Sequence, residues 1–200
     1  DLRRNNIMVV GAWNINISVG SMPEKVATAV GAIKESIMGA DYEPIAYIGS
    51  QVVNGTNHAV LAEQVLTTGR DTKNVVLLIF NEKGMNCDLV SIERVVEAGG
   101  ELGGTVVDVK TDIPEDAQKA FDKALGGFVG AAVKPFALLA TQPVNGINYV
   151  FAAEVTPVTA EPQKKFCVIT VNNLEKKASF ADILKCGLEV ALGRPLGEWP

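Results

Sequence analysis

Apolar positions follow two different periods along this chain, and the order of the periods occurs twice. Val26, Ala29, Val30, Ile33 and Ile37 recur at the spacing of one helix face, and so do Ala117, Ala120, Phe121, Ala124 and Phe128. Each set is a single apolar stripe between polar positions, the pattern of a helix that buries one side. The helix starts are marked as well. Ser21-Met22-Pro23-Glu24 and Asp112-Ile113-Pro114-Glu115 place an N-cap residue three before a glutamate, with Pro in the first turn where no N–H is needed. Gly39 and Gly130 supply the stops. Around the stripes the period shortens. Segments 12–18 and 105–110 read as strands ahead of each helix; 45–50, 56–66 and 75–80 follow the first, and 136–141, 147–156 and 166–171 the second. The runs 75–80 and 166–171 are dense in β-branched and apolar residues, which predicts central strands. A final strand, or strand plus helix, is expected over 88–96 and 180–190.

The repetition is in the residues as well as the pattern. Gln142 follows Gln51 by 91 positions, and the same offset pairs Pro23 with Pro114, Glu24 with Glu115, Gly39 with Gly130 and Pro44 with Pro135. Beyond the loop it pairs Asn57 with Asn148, Glu63 with Glu154 and Asn81 with Asn172. An ungapped register of this length marks a duplication, with a period far longer than that of a solenoid. Two copies of about a hundred residues are expected, 1–98 and 99–200, with the boundary near Ala98-Gly99-Gly100-Glu101. One helix followed by hairpin-connected strands is buried most simply by an antiparallel sheet laid across it. The expected fold class is therefore α+β: two tandem domains, each an antiparallel sheet wrapped around one long helix.

One short stretch is common to both copies, Gln51-Val52-Val53-Asn54-Gly55 and Gln142-Pro143-Val144-Asn145-Gly146. Each lies between two strand-like runs. Asn-Gly suits the two positive-φ positions of a type I′ turn, so a tight hairpin is expected. That reading requires no function. A second reading is that the Gln-x-Val-x-Gly loop is made for insertion, because apolar residues at an exposed tip serve no purpose in solubility.

Composition narrows function mainly by exclusion. Close to half of the 200 residues are apolar, enough for a substantial core, and the net charge of −5 comes with scattered Lys and Arg. No basic stripe is present to neutralise a phosphate backbone, so nucleic acid is not expected as a partner. No apolar run approaches the ~20 residues of a membrane span. Cys87, Cys167 and Cys186 are too few and too irregular for a disulfide framework or a zinc site, and burial is their expected role. The compartment stays open between secretion, with a leader removed, and the cytoplasm. His58 is the only histidine and matches Tyr149 in the second copy, so no Cys-His or Ser-His pair can form in both copies. It is expected to be an ordinary strand residue. Gly99-Gly100-Glu101-Leu102-Gly103-Gly104 lacks the Gly-x-Gly-x-x-Gly spacing and reads as a linker. Asp112, Glu115 and Asp116 suit a helix N-terminus. Trp13 and Trp199 are expected at a sheet edge, either as core or as an aromatic anchor. No catalytic residue, metal ligand or cofactor is expected; the chain reads as a binding protein, not an enzyme.

The order strand, helix, strand, Gln-Val-Val-Asn-Gly-Thr-Asn, strand resembles the cystatin superfamily, and its stefin branch in particular, where Gln-Val-Val-Ala-Gly-Thr-Asn follows one long helix. Gly11-Ala12 is similar to the glycine of the stefin N-terminal trunk, and 81–88 falls where a second inhibitory hairpin would lie. The resemblance implies reversible, non-covalent inhibition of papain-like cysteine proteases by a wedge of trunk and two hairpins. Gly11, Gln51, Val52, Val53, Asn54 and Gly55 would form it in the first copy, and Gln142, Pro143, Val144, Asn145 and Gly146 its counterpart in the second. The Pro-Trp dipeptide of many secreted cystatins is absent, as it is from stefins; Trp199-Pro200 has the reverse order. The second trunk, Gly103-Gly104, continues directly from the first copy. The alternative implied by the same superfamily is a non-inhibitory interaction or structural module binding some other protein.

Overall fold

Side chains on a strand alternate between faces, so a run that is apolar at every position needs cover on both sides. The run 75–80 is such a case: Val75, Leu77 and Ile79 belong to one buried cluster, while Val76, Leu78 and Phe80 belong to another. The computed structural model describes residues 11–67, 72–99 and 104–184. Its elements run β1 (Trp13–Val19), α1 (Glu24–Ser36), β2 (Ala40–Val53), β3 (Gly55–Leu66), β4 (Thr72–Lys83) and β5 (Asn86–Glu97). The second series is β6 (Val106–Lys110), α2 (Glu115–Leu125), β7 (Ala131–Val144), β8 (Gly146–Pro157), β9 (Lys165–Asn172) and β10 (Ala178–Asp182). Two five-stranded antiparallel meanders result, ordered β1-β2-β3-β4-β5 and β10-β9-β8-β7-β6.

The expectation of an α+β fold, with each sheet wrapped around one long helix, is overturned. Among the described residues the chain is mostly β, and the helices α1 and α2 span only 13 and 11 residues. Each helix lies on the outer face of its sheet. Val26, Ala29, Val30 and Ile33 pack on Val60, Leu78 and Phe80, while Ala117, Ala120 and Phe121 pack on Phe151 and Ile169. The inner faces are buried against each other. Ile48, Leu61, Leu77 and Ile79 of one sheet share a cluster with Leu139, Phe166 and Val168 of the other. Alanines 46, 59, 137, 140 and 152 lie among them, so large and small side chains alternate across the contact. The order of layers is helix, sheet, sheet, helix.

The helix ends also differ from expectation. Both stripes were read through to Ile37 and Phe128, but the helices stop at Ser36 and Leu125. Ile37 takes an extended conformation, and Gly126-Gly127 interrupts α2, with Gly127 at φ +89°. Ile37 and Phe128 still pack against their clusters from outside the helices. The capping boxes do not form either. Pro23 and Pro114 occupy the N-cap positions without side-chain caps, and the Ser21 hydroxyl bonds that of Ser18 instead. The final strands are observed as β5 and β10, and 185–190 lie outside the described residues.

The duplication is visible in backbone detail. β2 and β7, and likewise β3 and β8, start and stop 91 residues apart. Bulges between Pro44 and Ala46 and between Tyr47 and Gly49 recur between Pro135 and Ala137 and between Leu138 and Ala140. In the first sheet β1, the β2–β3 tip and the β4–β5 turn meet at one end. β5 leaves at the other end, where Glu97 pairs with Asn74 and Asn74 accepts from the Ala98 amide. A bridge between Gly99 and Thr105 follows, and β6 enters the second sheet with Val106 beside Thr141, close to the β7–β8 tip. The two hairpin tips therefore lie at opposite ends of the molecule.

If both faces of β4 are core, Leu77→Ala and Leu78→Ala should each lower the free energy of unfolding by about 2–5 kcal/mol. Urea denaturation checks this. A Leu77 substitution costing much less than its neighbour would mean that the inner face is not buried.

Candidate functional site

The repeated loop folds differently from the expected type I′ turn. Val52 pairs with Thr56 and Val53 with Gly55, leaving Asn54 alone at the apex; Asn145 is placed likewise between Val144 and Gly146. Among the described residues no non-glycine has positive φ, so Asn54 does not adopt the left-handed geometry that type I′ requires. Gly55 does, at φ +99°. This is the pattern of a three-residue hairpin closed by a left-handed glycine. Gly55 is also needed for space, since a Cβ there would sit 2.5 Å from the Glu82 carbonyl oxygen.

The polar members of the motif bond inward. Asn81 donates to Asn57 Oδ1 at 2.8 Å, Asn57 to Gln51 Oε1 at 2.9 Å, and Gln51 to the Gly11 carbonyl at 2.9 Å. Gln51, Asn57 and Asn81 are register partners on neighbouring strands, so the side-chain amides form one directed row across the sheet. Asn81 Nδ2 also lies 3.4 Å from the Asn54 carbonyl at the apex. The second copy repeats the row: Asn172 to Asn148 at 2.9 Å, Asn148 to Gln142 at 3.2 Å, and Asn172 to the Asn145 carbonyl at 3.2 Å. Gly11 closes the first row twice over, because its own amide donates to the Val52 carbonyl at 3.0 Å. Gly11, Gln51, Val52, Val53, Asn54 and Gly55 are thus brought together. Trp13 is half-buried against the inner core, and Trp199 lies outside the described residues.

Apolar side chains are exposed at this end, beside Asn54, Lys83 and Asn86. Val53 is 39% accessible and Met85, in the β4–β5 turn, 90%; at the opposite end Val144 is 47%, Ile147 38% and Leu174 58% accessible. Pro143 is exposed too. Gly84, at φ +61°, opens the two-residue turn that carries Met85. In the second copy the hairpins touch directly, with Asn173 Oδ1 accepting from the Ile147 amide at 2.9 Å.

Beneath the first tip lies a network that the sequence did not announce. His58 is buried, with Nδ1 2.9 Å from the Tyr47 hydroxyl and Nε2 3.0 Å from Glu82 Oε2. Lys25 of α1 meets the other Glu82 oxygen at 2.8 Å. Hydrogen bonds from Lys25 and then His58 hold the Glu82 carboxyl below its ordinary range. An ionised Glu82 can only accept, so His58 Nε2 carries the proton and, in a neutral ring, Nδ1 accepts from Tyr47. Burial, with a contribution from the Glu82 charge, pushes the Tyr47 hydroxyl up. In the second copy Tyr149 stands at the place of His58 and Asp116 at that of Lys25, and they bond each other at 2.9 Å. The Tyr149 hydroxyl, followed by the Ala117 amide, lowers the Asp116 carboxyl. The only sign of this exchange in the sequence is that two positions at the 91-residue offset change together.

Cys87 is half-buried and Cys167 buried, while Cys186 lies outside the described residues. Burial, then the charges of Glu82 and Asp88, raises the Cys87 thiol, the opposite of what a nucleophile needs. Among the described residues no group of three or more His, Cys, Asp or Glu could hold a metal, and no helix is long and apolar enough to cross a membrane. No family model matches the chain, and no match was found among curated proteins or solved structures.

Asn57→Ala would strand a donor on Asn81 and an acceptor on Gln51, and Asn148→Ala would do the same in the second copy. Each should cost about 1–3 kcal/mol in urea denaturation. A second expectation concerns acid. Glu82 and Asp116 have lowered folded-state values, so their contribution is present at neutral pH and disappears as the pH falls through those values. The urea midpoint should therefore drop between about pH 7 and about pH 3, and Glu82→Gln should flatten part of that drop. An unchanged acid dependence in the variant would remove Glu82 from the account.

Proposed function

We propose that the chain is a binding protein that inhibits papain-like cysteine proteases reversibly and without a covalent bond. The first copy presents the wedge: Gly11, the Val52-Val53-Asn54-Gly55 tip and the Met85 turn. The observation that carries this reading is the convergence of trunk glycine and two hairpins with apolar tips at one end of one sheet. A loop already fixed by its neighbours loses little conformational entropy on docking, and the amide row fixes this one. Gln51 supports the tip from behind, and the contact area comes from the valines and Met85. The resemblance to cystatins rests here on the loop and the trunk, not on the arrangement of layers. Gln142, Pro143, Val144, Asn145 and Gly146 would form a separate surface at the far end.

One observation favours a second reading, a non-inhibitory protein-interaction module. Gln51, Asn57 and Asn81 are occupied within the sheet, so their recurrence in the second copy follows from hairpin architecture alone.

Papain inhibition separates the two. The intact chain should inhibit at about 1 µM or below, and a folded Val53→Asp variant should lose that inhibition. Removal of residues 1–12 should weaken it as well. No inhibition by the intact chain at concentrations on the order of tens of micromolar would leave the interaction-module reading in place.

A further inference from the structure

In both copies a helix lysine reaches over to the backbone of the second hairpin, and it is not the same lysine. Lys25, in the first turn of α1, places Nζ 2.8 Å from the Gly84 carbonyl as well as from Glu82 Oε1. Lys123, in the last turn of α2, places Nζ 2.9 Å from the Asn173 carbonyl and 3.4 Å from that of Leu174. At the 91-residue offset Lys25 corresponds to Asp116 and Lys123 to Ala32. Neither contact can therefore be inherited from the other. Turn length accounts for the difference in origin. β4 and β5 are joined by Gly84-Met85 alone, whereas β9 and β10 pair only from Val171 and Ala178 outward. The longer loop meets the helix further along: Lys123 lies seven residues beyond the position equivalent to Lys25, about 10 Å of helix rise.

In each case the held turn carries an apolar side chain into solvent at the end of the sheet where the first hairpin lies: Met85 is exposed in the β4–β5 turn, and Leu174 is exposed against Gly146. An ammonium on a turn carbonyl fixes the turn without covering that side chain. We infer that Lys25 and Lys123 are positioning residues for the second hairpin of their respective copies, setting Met85 and Leu174 for entry into an apolar cleft of a partner. For Met85 the cleft is that of a papain-like protease if the proposed function holds, and in that respect the inference rests on that reading. Glu82 steadies Lys25 from a strand that His58 anchors, so removing the lysine frees the turn and leaves the sheet intact.

The test uses the full chain with Lys25→Met, Lys25→Arg and Lys123→Met. Amide exchange in the free protein reads the turns, and papain inhibition reads the first copy. Lys25→Met should speed exchange over 83–86 about tenfold and weaken inhibition by about five- to tenfold, with exchange at 52–56 unchanged and the urea midpoint at neutral pH lowered by no more than the Glu82 contribution. Lys25→Arg, which keeps the cation and its donors, should restore both. Lys123→Met should speed exchange over 173–176 and leave papain inhibition unaltered. Unchanged exchange in the turns of both methionine variants would overturn the inference, and so would an arginine variant no better than methionine. Faster turn exchange in a chain that never inhibits papain would support the lysine clamps while sinking the protease reading.

Discussion

Two apolar sheet faces that must be kept from water set the terms for everything else in this molecule. A helix of 11 or 13 residues covers one face of a five-stranded sheet, and the other face of each sheet carries side chains as apolar as the first. Left open, Leu61, Leu77, Leu139 and Phe166 would expose an apolar patch that a water-facing sheet does not tolerate. Duplication resolves this within one chain, because the second copy supplies a surface of matching alternation. Each sheet is then buried on both sides, which antiparallel sheets with one solvated face do not require. Stacking the sheets also explains why the tips diverge. The connection from β5 to β6 joins the foot of one sheet to the tip end of the other, so each hairpin tip has solvent ahead of it.

This constraint could be read in the sequence only in part. The continuous apolar runs at 75–80 and 166–171 were legible as central strands, and central was correct in a stronger sense than the helix alone can satisfy. What the sequence does not say is which surface covers the second face, because a covering sheet and a thicker helix layer demand the same residue types on β4. The helix stripes were legible for the same reason, yet their last members are not helical. Ile37 and Phe128 keep the spacing of a helix face and reach the core from outside the helices. Periodicity reports which side chains are buried; it does not report where the hydrogen-bonded ladder stops.

At the site, position was legible and role was not. The 91-residue offset singled out Gln51, Asn57 and Asn81 together with their partners, and these turned out to be neighbours on three strands. Their identity suggested recognition, whereas their geometry is that of a row of amides satisfying one another across the sheet. The turn type failed for a related reason. Asn-Gly is compatible with two positive-φ residues, but the pairing of Val53 with Gly55 leaves one residue at the apex and needs only the glycine. The network of Lys25, Glu82, His58 and Tyr47 left almost no trace, because its members come from a helix and three strands that only the fold brings together.

The division of labour at the tip follows from the same facts. Gln51, Asn57 and Asn81 are committed to the sheet, so they rigidify the loop without being available to a partner, while Val53 and Met85 have no internal partner to satisfy and remain outside. Had the amides faced outward and the valines inward, the hairpin would present groups that water already satisfies, and docking would exchange one set of hydrogen bonds for another at little gain. With apolar tips on a fixed frame, each square ångström buried adds to affinity, and little of it is lost to ordering the loop. Whatever enters into contact with this end of the molecule meets a shape already set by Gly11, Gln51, Asn57 and Asn81. The partner proposed for this end would therefore offer an apolar recess to Val53 and Met85.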